Sequence, residues 1–277
     1  MKNVCVITGG GSGMGLSAAK FLGEEWVAVL AGRTAQKLEA ACEEVKASGV
    51  EAVAVVCDVS DKSSVEALAK KASELGLIKG VIHAAAIDPK MGSAHEIFEI
   101  DAMGTIYVND IFIEAIEDGG SMVDVSSMAA HMGDDSRLAD VYPLAFTDHE
   151  SFREKMLAFI TSVDDEGTQR GMSYSFSKSF VNWYALQTAF RGGKRQIRVV
   201  SVSPGTFLTP MGILGGEHSA SYAKKGALGR TGDPDEIGRL LAFLITGGAT
   251  YLTATDILCD NGTVPAMFKK VDPSILQ

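Results

Sequence analysis

The stretch YSFSK, residues 174–178, sets Tyr174 one helical turn from Lys178. On a helix the two side chains share a face. An ammonium beside a phenol favours the phenolate and lowers the ordinary phenol pKa of ~10. Such a tyrosine can give a proton or take one. Chance also produces this spacing in many helices, so the pair acquires meaning only from its neighbours. Ser127 ends the apolar run SMVDVSS (121–127), and SVSPGTFLTP (201–210) closes another. A serine hydroxyl at a strand end can hydrogen-bond a reacting oxygen; Ser126, one residue earlier, would point to the opposite face.

A second constellation lies near the start. TGGGSGMG (8–15) follows the apolar run NVCVIT and opens an amphipathic segment. Its spacing is not GxGxxG, but the physics of a dinucleotide turn remains. Glycines permit a tight turn and close approach to phosphate, and the helix N-terminus offers free amides. A merely flexible glycine turn is the alternative. An acidic residue about 20 positions further on usually holds a free ribose 2′-hydroxyl, but Gly32 and Arg33 stand there. Glycine leaves room and arginine can pair with a 2′-phosphate. That favours NADP(H), with NAD(H) possible, unless Arg33 is a plain surface charge. Asp58 in CDVS could receive the adenine amino group or simply cap a strand end.

These residues need a frame. Candidate strands are 3–8, 26–31, 51–56, 80–85, 121–126, 197–202 and 254–259, with helical patterns at 14–24, 34–48, 61–75 and 102–117. Nearly continuous apolar strands alternating with amphipathic helices predict an α/β fold: one Rossmann-like, doubly wound, seven-stranded parallel sheet. Thr34 is positioned to cap the second helix, and Ser60 or Asp61 the third. Residues 129–172 break the rhythm with mixed charge and no strand-like run; apolar spacing in 151–163 predicts a helix inside this insertion. The glycine-rich stretch 205–228, with Met211, Ile213, Leu214 and Tyr222, suits a substrate lid or a subunit contact. A single domain over 1–277 is expected.

Composition narrows the partners. A net charge of −10 over 277 residues argues against nucleic acid and anionic membranes. The four cysteines form no CxxC and no zinc spacing, so no metal is expected. Short apolar runs and the immediate entry into a strand predict a cytoplasmic chain without leader or membrane span.

In order along the chain, TGGGSGMG, AGR, CDVS, DVSS, YSFSK and SVSPGTFLTP resemble the motifs of short-chain dehydrogenases/reductases over about residues 3–262. The resemblance implies a reversible alcohol/ketone oxidoreductase. Ser127 would bind the substrate oxygen, Tyr174 would act as acid or base with Lys178, and the dinucleotide would carry the hydride. It further implies a dinucleotide surface of Thr8, Gly9, Gly11, Ser12, Gly13, Met14, Gly15, Arg33, Asp58, Val59, Ala84, Ala85, Tyr174, Lys178, Pro204, Gly205, Thr206 and Thr209. Hydroxyl or backbone groups around Thr206 and Thr209 would orient the carboxamide. A homodimer or homotetramer is the usual assembly.

Three departures stand out. HAAA (83–86) replaces the usual Asn-Asn-Ala-Gly, and His83 reads as a packed histidine. Asp101 in DAMG occupies the place of a relay asparagine, so it joins the catalytic candidates; an aspartate donates only when protonated. The interval from Ser127 to Tyr174 is unusually long, as in the bacterial 3α-hydroxysteroid dehydrogenase/carbonyl reductase branch that this chain resembles. The insertion could line an apolar pocket through Met132, Leu138, Val141 and Tyr142, or alter a subunit interface. A bulky apolar carbonyl or alcohol such as a hydroxysteroid or bile acid is the leading substrate class. A general carbonyl or 3-oxoacyl reductase is the alternative, and a nucleotide-binding regulator without turnover is the non-enzyme reading.

Overall fold

Runs such as NVCVIT and WVAVLA lack polar alternation, so both of their faces must be covered. The computed structural model, which describes residues 2–268 and Val271, covers them in that way. The ends of the expected span 1–277 lie outside the described residues. The strands are β1 (Asn3–Thr8), β2 (Trp26–Gly32), β3 (Glu51–Val56), β4 (Leu77–His83), β5 (Ser121–Val125), β6 (Arg198–Pro204) and β7 (Asp256–Cys259). They form one sheet in the order β3-β2-β1-β4-β5-β6-β7, and every pairing is parallel. Strand order reverses between β1 and β4, where a crevice opens at the carboxyl ends of the strands.

The helices are α1 (Gly13–Lys20), α2 (Ala35–Ala47), α3 (Lys62–Ser73), α4 (Ala94–Phe98), α5 (Gly104–Ala115), α6 (His149–Ile160), α7 (Glu166–Gly192), α8 (Pro210–Leu214), α9 (Gly216–Lys225), α10 (Pro234–Ile245) and α11 (Thr263–Met267). Leucines and alanines of α1, α2 and α10 bury one face of the sheet. Apolar residues of α3, α5 and α7, among them Leu68, Val108, Phe112 and Ala185, bury the other. Asp61 caps α3 by accepting from Ser63 N, while Ser60 instead bonds Asp58. Thr34 holds the N-cap place of α2 without a side-chain bond to it.

Two differences from the expected boundaries bear on the site. The expected helix 102–117 is preceded by α4 and a π-helical turn, Glu99–Met103, that runs directly into α5. A capping box, Ser93 with Glu96, starts this composite helix. The extra residue of a π turn swings side chains out of the α-helical register, and it delivers Asp101 into the crevice. Gly104 follows because a β-carbon there would lie 2.9 Å from Val59 Cγ2. Second, the end of the expected insertion is the first two turns of α7, whose N-cap Asp165 accepts from Thr168 N. The helix expected over 151–163 is α6, shifted two to three residues earlier.

Two of the four insertion residues chosen to line a pocket are packed away from solvent instead. Leu138 and Tyr142 are 1% and 2% exposed inside a third core with Phe98, Phe152, Phe180 and Tyr184. Val141 packs at its margin, and Met132 sits partly exposed in the turn after β5. Apolar side chains at helical spacing bury themselves on the nearest apolar face, here α4 and α7. The Phe152 ring lies 5.7 Å from Phe98 and 4.7 Å from Phe180, contacts beyond simple area burial. The insertion thus clamps the helix that carries YSFSK. Phe152→Ala is expected to lower stability by about 3–5 kcal/mol, read as a fall in the urea midpoint at unchanged m-value. A loss below about 1 kcal/mol would mean that α6 is not part of the cooperative core.

Candidate active site and dinucleotide cradle

The site begins where β1 ends. Gly9 has φ +68°, and a β-carbon on it would lie 2.6 Å from Ala84 O. Gly15 is equally confined, with Gly9 O at 2.8 Å from the β-carbon position. The first turn of α1 therefore lies against the carboxyl ends of β1 and β4. Ser12 takes the N-cap position with no hydroxyl bond to that turn, which leaves first-turn amides available to a phosphate. Gly13 packs against Thr209, its β-carbon position 3.4 Å from Thr209 Cβ. The glycine turn and the loop after β6 are thus neighbours. Gly11 and Met14 are half-buried, and Met14 packs against the core beneath.

Thr8 ties this turn to the crevice. Its hydroxyl accepts from Ala85 N at 3.2 Å, which frees its proton for His83 Nδ1 at 2.8 Å. His83 Nε2 then meets Thr105 Oγ1 at 3.2 Å, and Thr105 donates to Asp101 O at 2.7 Å. The chain needs neutral His83 with its proton on Nε2. Burial, with help from the Lys178 charge, pushes this histidine down to about 3. His83 is packed, as expected, but it also links the phosphate turn to the π turn. Ala84 N donates to Thr8 O at 3.2 Å, so the backbone course of HAAA is retained.

At the adenosine end, Arg33 is exposed one residue beyond β2. Asp58 follows β3 and is half-buried. Its Oδ1 accepts from Ser60 N and Ser60 Oγ at 3.0 and 2.7 Å, a turn cap that leaves the second oxygen outward. Val59 is buried against Gly104. At the opposite end, Pro204 closes β6, and Gly205 N donates to Cys259 O at 2.9 Å. Thr206 Oγ1 donates to Ser219 O at 3.1 Å, and Thr209 Oγ1 accepts from Gly212 N at 3.0 Å. Both hydroxyls fasten α8 and α9; Thr209 retains a proton to give. A glycine-shaped cradle, uncapped amides and a loop reaching it from β6 fit a dinucleotide.

Ser127, Tyr174 and Lys178 converge at the end of β5. Ser127 Oγ accepts from Ala129 N at 3.1 Å and lies beside the Tyr174 phenol. Ser126 faces the other way, donating to Lys178 O at 2.8 Å. Ser173 Oγ donates to Ala94 O at 2.6 Å, pinning α7 to α4 just before the tyrosine. Lys178 is 2% exposed. Its ammonium donates to Val125 O at 3.1 Å and stands 3.6 Å from Asp101 Oδ2. It is 5.7 Å from the centroid of the Tyr174 ring.

Electrostatics here depart from the sequence expectation. The phenol of Tyr174 is governed first by its burial. Burial pushes it well up; the Ser127 hydroxyl opposes this, and the Asp101 and Asp88 charges add to it. Asp101 Oδ1 accepts from Ile87 N at 3.0 Å, while Oδ2 is buried without a hydrogen-bond partner. Burial raises Asp101 to about 6 against the pull of Lys178.

Sequence reading missed Asp124, although it lies inside the quoted DVSS. It is fully buried, with Asn109 Nδ2 donating to Oδ1 at 3.0 Å, and burial raises it to about 7. The signal available was a lone acid in an otherwise apolar strand. Folded Asp101 and Asp124 both bind protons more tightly than the unfolded chain does. Ionising them therefore opposes folding as pH rises from the ordinary carboxylate range through about 6 and about 7.

Comparison with known proteins bears on the family and the fold. Residues 3–139 match the short chain dehydrogenase family, and residues 155–264 match the family described as enoyl-(acyl carrier protein) reductase. The short-chain dehydrogenase/reductase bsc3 of Alternaria brassicicola is 28% identical over 270 residues, covering 95% of this chain and 96% of its own. The 3-alpha-hydroxysteroid dehydrogenase/carbonyl reductase of Comamonas testosteroni is 25% identical over 240 residues, covering 83% and 90%. The fold superposes on an actinorhodin polyketide ketoreductase solved with NADPH at a TM-score of 0.76 and 22% identity, covering 95% and 97%. The chain belongs to the short-chain dehydrogenase/reductase family of NAD(P)-dependent oxidoreductases.

Proposed function

We propose that this oxidoreductase interconverts a bulky apolar ketone and its alcohol with NADP(H), and that Tyr174 moves the proton. The observation that carries the reading is the meeting of Ser127, Tyr174 and Lys178 beside a dinucleotide cradle. The bound dinucleotide supplies or accepts the hydride at the carbonyl carbon. Ser127 directs its hydroxyl to the substrate oxygen, and Tyr174 protonates that oxygen in reduction or deprotonates the alcohol in oxidation. Lys178, anchored on Val125 O, holds positive charge below the phenol.

The mouth of the crevice supports the apolar substrate class. Met91, Leu208, Ile213 and Leu214 are 48–65% exposed. Lys90 Nζ donates to Leu214 O at 2.7 Å, so the loop after β4 meets α8 on one rim. Apolar side chains left in water around a polar site await an apolar ligand. A hydroxysteroid or bile acid meets that description, and the Comamonas relative's name points the same way. A 3-oxoacyl or general carbonyl substrate is the second reading, favoured by the family matched at residues 155–264. Assembly as a homo-oligomer belongs to the same proposal; Phe190 and Phe243, 75% and 50% exposed, are apolar surface that subunit contact would cover.

Tyr174→Phe is expected to lower kcat/KM for a ketone panel by about 10²–10⁴-fold, with NADPH affinity within about twofold by fluorescence titration. Retained turnover would remove Tyr174 from the chemistry. For the cofactor, Arg33→Asp should lower the NADPH/NADH ratio of kcat/KM by about tenfold or more, the worth of one charge-assisted contact. An unchanged ratio would leave Arg33 a surface charge.

A further inference from the structure

The site contains one ammonium and more acid than it needs. Lys178 has two polar contacts, Val125 O at 3.1 Å and Asp101 Oδ2 at 3.6 Å, and Tyr174 supplies neither. Asp101 is 1% exposed, its Oδ1 is held by Ile87 N, and its Oδ2 has no hydrogen-bond partner. A buried carboxylate oxygen left that way is tolerable only opposite a charge. The π turn supplies the geometry, because it turns residue 101 inward toward α7.

We propose that Asp101 is a positioning residue that ties up the Lys178 charge, keeps Tyr174 protonated at neutral pH and biases the site toward ketone reduction. The inference rests on the role given to Tyr174 above. In reduction the carbonyl carbon gains the hydride and its oxygen gains the Tyr174 proton; the phenolate left behind is reprotonated from water. In oxidation the phenolate must exist before the alcohol binds productively, and an uncompensated ammonium is what would sustain it. Asp101 removes that support. The groups facing Asp101 are Lys178 and Tyr174 from α7, Asp88 from the loop after β4, neutral His83 from β4 through Thr105, and Asp124 from β5 through Lys178. None but Lys178 is a cation. Asp101 gains its charge as pH rises through about 6, so the bias operates at neutral pH and fades below it.

Asp101→Asn keeps the acceptor for Ile87 N and removes the charge. The acidic limb of kcat/KM for alcohol oxidation, set by ionisation of Tyr174, should move down by about one pH unit, and the reduction/oxidation ratio at pH 7 should fall about tenfold. Equal losses in both directions with the limb in place would make Asp101 merely structural and overturn the proposal. A second measurement does not depend on that variant's folding. Ultraviolet difference titration of the unsubstituted protein against Tyr174→Phe isolates the phenolate of residue 174. Its appearance only above the ordinary phenol range supports the proposal, and its appearance below that range defeats it. Absence of turnover with every carbonyl fails the parent reading instead, and the same titration on Asp101→Asn, where the phenolate should appear at lower pH, still decides whether Asp101 governs Tyr174.

Discussion

A lysine ammonium almost wholly removed from water has to be balanced, and the arrangement around Lys178 follows from that need. Desolvating such a charge without partners is prohibitive. The carbonyl of Val125 at the end of β5 supplies one partner and the Asp101 carboxylate on the π turn supplies the other. These two contacts fix three elements relative to one another: β5 with Ser127, α7 with Tyr174, and the composite helix that approaches from β4. Ser126 adds a bond to the Lys178 carbonyl, so the strand end grips both the head and the backbone of the lysine.

Packing supports the same point from the other side. Among the described helices α7 is the longest, at 27 residues, and the insertion packs against its first turns. Phe152, Met156 and Ile160 of α6 bury themselves against Phe98 and Phe180, so that end of α7 has its own core. Asp135 accepts hydrogen bonds from Ser179 and Tyr142, fastening the insertion one residue beyond Lys178. The insertion is therefore coupled to the proton-transfer end by packing and hydrogen bonding, and its apolar residues serve stability first.

The sequence carried the sheet, the glycine turn and the trio of Ser127, Tyr174 and Lys178 because each depends on local pattern. Strand periodicity, glycines that admit a close backbone and a one-turn spacing survive without knowledge of the neighbours. What escaped was pairwise. Nothing in YSFSK reveals that Lys178 turns to Asp101 or that burial raises the Tyr174 phenol. Leu138 and Tyr142 looked like pocket residues since spacing says that a side chain is buried but not against what. The π turn escaped because a hydrophobic period of 3.6 fits α5 and says nothing of one extra residue; the Ser93–Glu96 capping box was the legible sign that the helix began earlier. Asp124 was legible by its oddity and was passed over.

His83 shows how a departure from a family motif can be absorbed. An asparagine offers a donor and an acceptor on one short amide. A neutral imidazole offers the same pair on opposite edges of a longer ring, so it can span from Thr8 to Thr105. The histidine serves only while uncharged, because the Thr8 proton needs an acceptor at Nδ1. Burial secures that state, and the ammonium of Lys178 secures it further. The same ammonium that is balanced by Asp101 thus adds to the burial that keeps His83 neutral, and through the Thr8 hydroxyl the histidine is linked to the backbone of Ala85 beside the glycine turn. Burial first, and this charge second, holds the histidine in the protonation state on which the link between the two ends of the crevice depends.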